Sequence, residues 1–453
     1  MRMPLRHWAT LLFLAMALLL GGASAAGYTG NLILQFSAVA LVGYNVWNGG
    51  ATGGQATGLG RFMVALLAVF ALQFLPLPPA LWQVLPGREA VAKGYELAGM
   101  PMPWLTYSLD PWSSLQSFVW WLPALALLLA VRAKDAPPAR LMIWLIAAIA
   151  YGSVILAAAQ AFGGSGYFYT ITNKGNGVGL FSNSNHFSSF MLVAMALLAG
   201  QSLYDRPSGH HGKHRHTEDY VLAAKLAPLA VGVFLSNSLA RMLLMVPVLG
   251  GIVLLARPAW RIRWPLVAVV LAGFAVGLVW LLASGIAAND LLAKSGTAGI
   301  SRGEFLANGS QMLRDFAPAG SGIGTFREIY PWYEDVRQVG TTYANHAHND
   351  LLELLIETGL PGLLVLGLFL IWLIRRSWQL WNSNRADNLV ALSASLAIFA
   401  VLLHSLVDYP LRTGAISSLI ALCCILMTRP AEARGVSALP DSGSGRRETM
   451  LEI

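Results

Sequence analysis

Two histidines, two asparagines and three carboxylates crowd into the stretch YANHAHNDLLELLIETGLPG, residues 343–362. Imidazole is the side chain that changes charge near neutral pH, so His346 and His348 are candidates for moving a proton. His346 and Asp350, Asn349 and Glu353, and Glu353 and Glu357 are each four residues apart, a spacing that puts each pair on one face of a helix. The chain then turns apolar, and Gly359 and Pro361 interrupt the run. Proline inside a helix predicts a kink. Ionisable groups beside an apolar helix are expensive and usually functional. Two other readings stay open. Either histidine can be a solvated or hydrogen-bonded loop residue. The H-x-H spacing also admits a metal ion, although no cysteine or third histidine stands nearby in the sequence.

Three arginines suit an anionic ligand. Arg241 stands in SNSLARML, Arg302 in GISRGEF and Arg412 in HSLVDYPLRTG. A guanidinium binds phosphate oxygens through two parallel hydrogen bonds and keeps its charge. Each arginine could equally anchor a helix end by reaching to water. Asn185 and His186, with Asn183, open an apolar run and suit either sugar hydroxyls or helix capping. His404 and Asp408 are four apart, which makes them a candidate pair for orienting Arg412. The histidine-rich tract GHHGKHRH at 209–216 reads as a solvated loop.

The elements that must position these groups are membrane helices. The 453 residues are 56% hydrophobic and 11% charged. A soluble chain of this length would carry charge on about a quarter of its residues. Apolar runs predict twelve spans, near 8–26, 30–47, 61–79, 113–131, 139–162, 186–204, 220–236, 240–256, 264–284, 351–374, 388–408 and 413–428. Most basic residues then fall on alternate connections and at both termini, which assigns those to the cytoplasm. The expected fold is all-α and polytopic, with about twelve transmembrane helices. Residues 1–284 hold helices one to nine, 285–350 form a long helical periplasmic loop between the ninth and tenth spans, 351–428 hold helices ten to twelve, and 429–453 form a disordered cytoplasmic tail. Within the loop, SRGEFLANGSQMLRDF and YANHAHNDLLELLIET read as helices and APAGSGIGTF as a turn. The first run, followed by GGASAAG, is an uncleaved span or a secretory signal. Cys423 and Cys424, being adjacent, give no disulfide framework. The net charge of +8 is explained by topology, and no motif points to nucleic acid.

HAHNDLLELLIETGLPGLL resembles the signature of the O-antigen ligase and polysaccharide polymerase membrane protein family. FSNSNHFSSFML, SNSLARML, SRGEFLANGSQMLRDFAPAGSGIGTFREIYPWY and HSLVDYPLR follow the family order and extend the resemblance over most of the chain from the sixth span onward. The first five spans carry no matching motif.

The resemblance implies an inverting, metal-independent glycosyltransferase of the bacterial inner membrane, with its active site facing the periplasm and no cofactor. It implies that a glycan passes from undecaprenyl diphosphate to a hydroxyl, with His348 as base and Arg241 and Arg302 on the diphosphate. The context SLARML departs from the tighter S-R-G pattern common in the family at the first arginine. Arg412 joins them as a diphosphate contact on its residue type. Asn185, His186, His346, Asn349, Asp350, Glu353, His404 and Asp408 are expected to contact glycan or support the site. The expected reaction is polymerisation of repeat units of a surface or secreted polysaccharide. The alternatives are an O-antigen ligase acting on lipid A-core, a non-enzymatic transporter of lipid-linked glycan, and a metallohydrolase using His346 and His348. Expected partners are the lipid-linked oligosaccharide and the bilayer, with flippase and chain-length regulator proteins as candidates.

Overall fold

The computed structural model describes residues 3–25, 28–48, 58–133, 135–206, 213–237, 239–257, 302–335, 337, 343–383 and 386–429. The expected ninth span at 264–284, the first part of the long loop and the tail beyond 429 lie outside the described residues, as does the first half of the histidine-rich tract, whose second half is not loop but the start of the helix Lys213–Leu235.

Helices dominate: α1 (Leu5–Leu20), α2 (Thr29–Trp47), α3 (Gly58–Leu72), α4 (Pro79–Trp82), α5 (Glu89–Leu97), α6 (Pro111–Arg132), α7 (Ala139–Gly163), α8 (Ser184–Tyr204), α9 (Lys213–Leu235), α10 (Leu239–Ala256), α11 (Arg302–Phe316), α12 (Phe326–Ile329), α13 (Asp350–Asn382), α14 (Leu389–Ser405) and α15 (Gly414–Thr428). Among the described residues the only sheet is a two-residue antiparallel pairing of β1 (Pro76–Leu77) with β2 (Leu105–Thr106). By length and composition α6, α7, α8 and α13 can each cross a membrane, and five shorter helices are also apolar.

Helix α8 is the axis of the bundle. It is apolar all round and buried along almost its whole length, which is the expected state of such a helix. Helices α7, α9, α10 and α14 pack around it. The two ends of α8 differ in charge. At its C-terminal end Arg140 lies 3.5 Å from Asp205, and Asp219 takes Arg206 at 3.0 Å and Arg257 at 2.8 Å. At its N-terminal end gather the first residues of α10, α13 and α15 and the last of α14.

Helix α13 is broken in its N-terminal third. Gly359 has φ 54° and ψ −140°, outside helical geometry. A side chain there would put its Cβ 2.1 Å from the Pro318 carbonyl oxygen, so glycine is required on both counts. Pro361 has no N–H to offer Glu357, and the segment 317–325 supplies the missing donors. Ser321 N–H donates to the Ile356 carbonyl (3.0 Å), Gly322 N–H to the Glu357 carbonyl (2.8 Å), and Leu360 N–H turns instead to Pro318 O (2.8 Å). The glycine-rich turn is thus the backbone partner of the kink.

A second, smaller core lies over the N-terminal part of α13. Phe305, Met312 and Phe316 of α11 pack with Phe326, Ile329 and Tyr330, and all rest on Leu352 and Ile356 of α13. Burial pushes the Tyr330 hydroxyl up to about 12, so this phenol stays neutral in the core.

Candidate active site

The stretch read as one helix from residue 343 is helical only from Asp350. Asn349 ends the irregular part: its side chain accepts from Leu352 N–H (3.0 Å) and so caps α13, while its amide donates to Leu406 O (2.8 Å). His346 and His348 therefore sit on irregular backbone, not on a helix face with Asp350. His348 has φ 54°. Among the described non-glycine residues only Asn237 shares a positive φ. Such a conformation persists where surroundings impose it, commonly at functional sites.

Two charges organise the site, buried Asp408 and half-buried Arg412, and both come from the connection between α14 and α15. The first is Asp408. Its carboxylate accepts from the Asn185 amide and from Tyr409 N–H. Three imidazoles surround it: His348 Nδ1 at 3.7 Å, His186 Nε2 at 4.0 Å and His404 Nε2 at 4.0 Å. The other nitrogen of His404 bonds the Ser189 hydroxyl at 2.6 Å. Arg241 is buried close by and donates to Ser184 Oγ (2.9 Å), at the N-terminal end of the same α8. Arg302 begins α11, and one turn later the Phe305 ring lies against the His348 ring, tilted by 49° with centroids 5.0 Å apart.

The second charge is Arg412. Its guanidinium lies 3.6 Å from Asp350, 3.4 Å from Glu353 and 3.3 Å from Glu357. Those three carboxylates share one face of α13, so one arginine spans two helical turns. Each has a second support. Asp350 accepts from the Ser405 hydroxyl (2.8 Å), Glu353 from Ala347 N–H (2.8 Å) and Glu357 from Phe326 N–H (3.3 Å). His346 Nδ1 bonds Glu353 at 2.8 Å. A buried carboxylate is tolerated when paired and hydrogen-bonded, and all three meet that condition.

Tyr409 joins the two centres. Its ring contacts His346, His348 and His186 with centroid separations of 4.6, 4.9 and 4.9 Å. The pairing expected from the sequence is corrected here. His404 and Asp408 do meet, but they face the imidazoles, and Arg412 is oriented by α13 instead.

An open cleft with about 780 Å³ of empty space, its mouth included, adjoins the Arg412 centre. His346, Glu353, Glu357 and Arg412 line it, with Asn345 and Arg327. His348 does not line it.

The family model for O-antigen ligase matches residues 224–367. These residues form an O-antigen ligase family domain. No curated protein matches the chain. The O-antigen ligase domain contains Arg241, Arg302, His346, His348 and the three carboxylates of α13. Asn185, His186, His404, Asp408 and Arg412 lie outside it and reach the same site through the fold. Membership implies a membrane enzyme of the ligase or polymerase kind, in keeping with the spanning helices.

Tyr409, Ser405 and Arg327 were not singled out in the sequence. Arg327 pairs with Glu328 at 3.2 Å and sits over the Tyr343 ring at 5.0 Å. The argument that selected Arg241, Arg302 and Arg412, an arginine in or beside connections that the charge pattern leaves poor in basic residues, applies to it equally. Tyr409 and Ser405 carry no such signal, because their parts depend on which groups the fold places against them.

Proposed function

We propose that this protein transfers a glycan from undecaprenyl diphosphate to a sugar hydroxyl at the periplasmic face of the bacterial inner membrane. The observation that carries the reading is the pairing of His348 with buried Asp408, beside Arg241 and the start of the Arg302 helix. With Nδ1 toward the carboxylate, the imidazole takes the acceptor proton at Nε2 as the hydroxyl attacks the anomeric carbon. Asp408 balances the imidazolium that forms. Arg241 and Arg302 take the charge developing on the leaving diphosphate, a metal-independent role worth about 3 kcal/mol per donor. One displacement of this kind inverts the anomeric centre. Arg412 serves as counter-ion to the acidic face of α13, since a phosphate approaching it would also meet Glu353 and Glu357.

A count of twelve spans, with the ninth taken from the sequence, supports a site outside the cytoplasm and both termini inside. The arginine pairs at the far end of α8 support that orientation. The preferred reaction is polymerisation of repeat units. The ligase reading, with lipid A-core as acceptor, is favoured by the matched family's description. Purified protein incubated with lipid-linked repeat units decides between them. A ladder of products is expected for a polymerase. Transfer that appears only after addition of lipid A-core makes the protein a ligase, and no transfer under either condition overturns the proposal.

A further inference from the structure

The cleft has a second wall that the reaction scheme does not use. Ser113, Gln116, Ser117, Trp120 and Trp121 line it from α6. Their spacing is i, i+3, i+4, i+7 and i+8, so they form one continuous stripe down a single helix face. Along a membrane span such a stripe is costly unless something polar occupies it. The stripe is also graded. Hydroxyls and an amide stand at the outer end, and two indoles follow about one turn deeper. Asp110 caps α6 and holds the outer end in place by accepting from Trp112 N–H (2.9 Å) and the Ser113 hydroxyl (2.6 Å). Gly324 lets the loop close on this helix: a Cβ there would lie 2.2 Å from Ser117 Oγ.

The opposite wall decides what charge the occupant carries. Arg412 is already held by Asp350, Glu353 and Glu357, and Arg327 by Glu328. A dianion entering here would meet carboxylates beside every cation. A neutral ligand with many hydroxyls would instead find acceptors in Glu353 and Glu328, and amides in Gln116 and Asn345. Its apolar C–H faces would find the indole rings, which offer a broad electron-rich surface.

We infer that the α6 stripe and the acidic wall facing it form a saccharide subsite that holds sugar rings beside the reaction centre, while the diphosphate lies on the Asp408 and Arg241 side. The inference rests on the transferase reading for the source of the sugar. Either the acceptor glycan or the sugar of the donor supplies the same chemistry, and kinetics tell them apart.

The test uses full-length protein in nanodiscs, with Gln116→Ala, Trp120→Ala and Trp120→Phe variants. Two measurements are made: transfer from lipid-linked repeat units, and quenching of tryptophan fluorescence by oligosaccharide released from the same polysaccharide by mild acid. The alanine variants are expected to raise one KM at least tenfold while kcat stays within about twofold, with Trp120→Phe recovering most of the loss. A rise in the acceptor KM assigns the subsite to the acceptor, and a rise in the donor KM assigns it to the donor sugar. Wild-type transfer with unchanged KM values in all three variants overturns the subsite. Quenching that is lost in Gln116→Ala, with no transfer by the wild type, keeps the subsite and removes the transferase reading. Should Trp120→Ala lose its helical circular dichroism, Trp120→Phe and Gln116→Ala carry the same comparison.

Discussion

Asp408 and Arg412 lie four residues apart in one connection, and they are surrounded in opposite ways. The aspartate has imidazoles from three elements around it and an amide from α8. The arginine has three carboxylates from one helix. Imidazole is the side chain suited to accepting and returning a proton, so the first centre holds groups able to change charge during a reaction. Carboxylates locked against a guanidinium cannot change without stranding a buried charge. The first arrangement suits chemistry, and the second suits holding α13 against the 405–413 connection. Tyr409 touches the imidazoles of both, so the scaffold sets the position of the reactive groups through one ring.

Substitutions at the two centres separate these roles. Replacing His348 with Ala should lower transfer by about three orders of magnitude, equivalent to roughly 4 kcal/mol of barrier, with the melting temperature nearly unchanged. His346→Ala should cost far less activity. An equal loss in both variants would move the base to His346, which lines the cleft and bonds Glu353. At the second centre the balance reverses. Arg412→Met strands Asp350, Glu353 and Glu357, and should cost about 3–5 kcal/mol of stability, read as loss of folded protein on heating in detergent. If Arg412→Met melts like the wild type but is inactive, the contrast drawn between the centres fails.

Smaller effects sharpen the picture of the scaffold. Gly359→Ala forces a side chain into a left-handed position against Pro318 and should cost about 1–3 kcal/mol. Its activity should fall with stability, because the kink aims the carboxylates of α13 at Arg412. Asn349→Ala removes one helix cap and should cost about 1 kcal/mol. Asn349→Asp keeps the cap acceptor and should recover most of it. A recovery by Asp in stability but not in transfer would add a glycan contact to the residue.

Eleven of the twelve expected spans overlap helices of the structure, four of them long and apolar enough to cross a membrane, and the expected ninth span falls outside the described residues. Their legibility has a simple cause. An apolar run long enough to leave water must satisfy its own backbone, and the helix is the local way to do so. The turn at 317–325 and the break near Gly359 were readable for a related reason, since glycine and proline act on their own backbone. The start of α13 was misplaced by seven residues because titratable residues at helical spacing mimic a helix face, whereas the Asn349 cap shows itself only once its acceptor is seen on Leu352 N–H.

Local chemistry thus determined the class of the protein, the helical run of the chain and the types of residue able to move a proton or hold an anion. Which of those residues meet was decided by tertiary structure alone. Asn185, His186, His348 and His404 are separated by up to 219 positions yet share one carboxylate, and Arg412 left its expected partner Asp408 for α13. The physical reason is that a charge removed from water takes whichever counter-charge the packing of apolar helices brings within reach, and spacing along the chain carries no record of that packing.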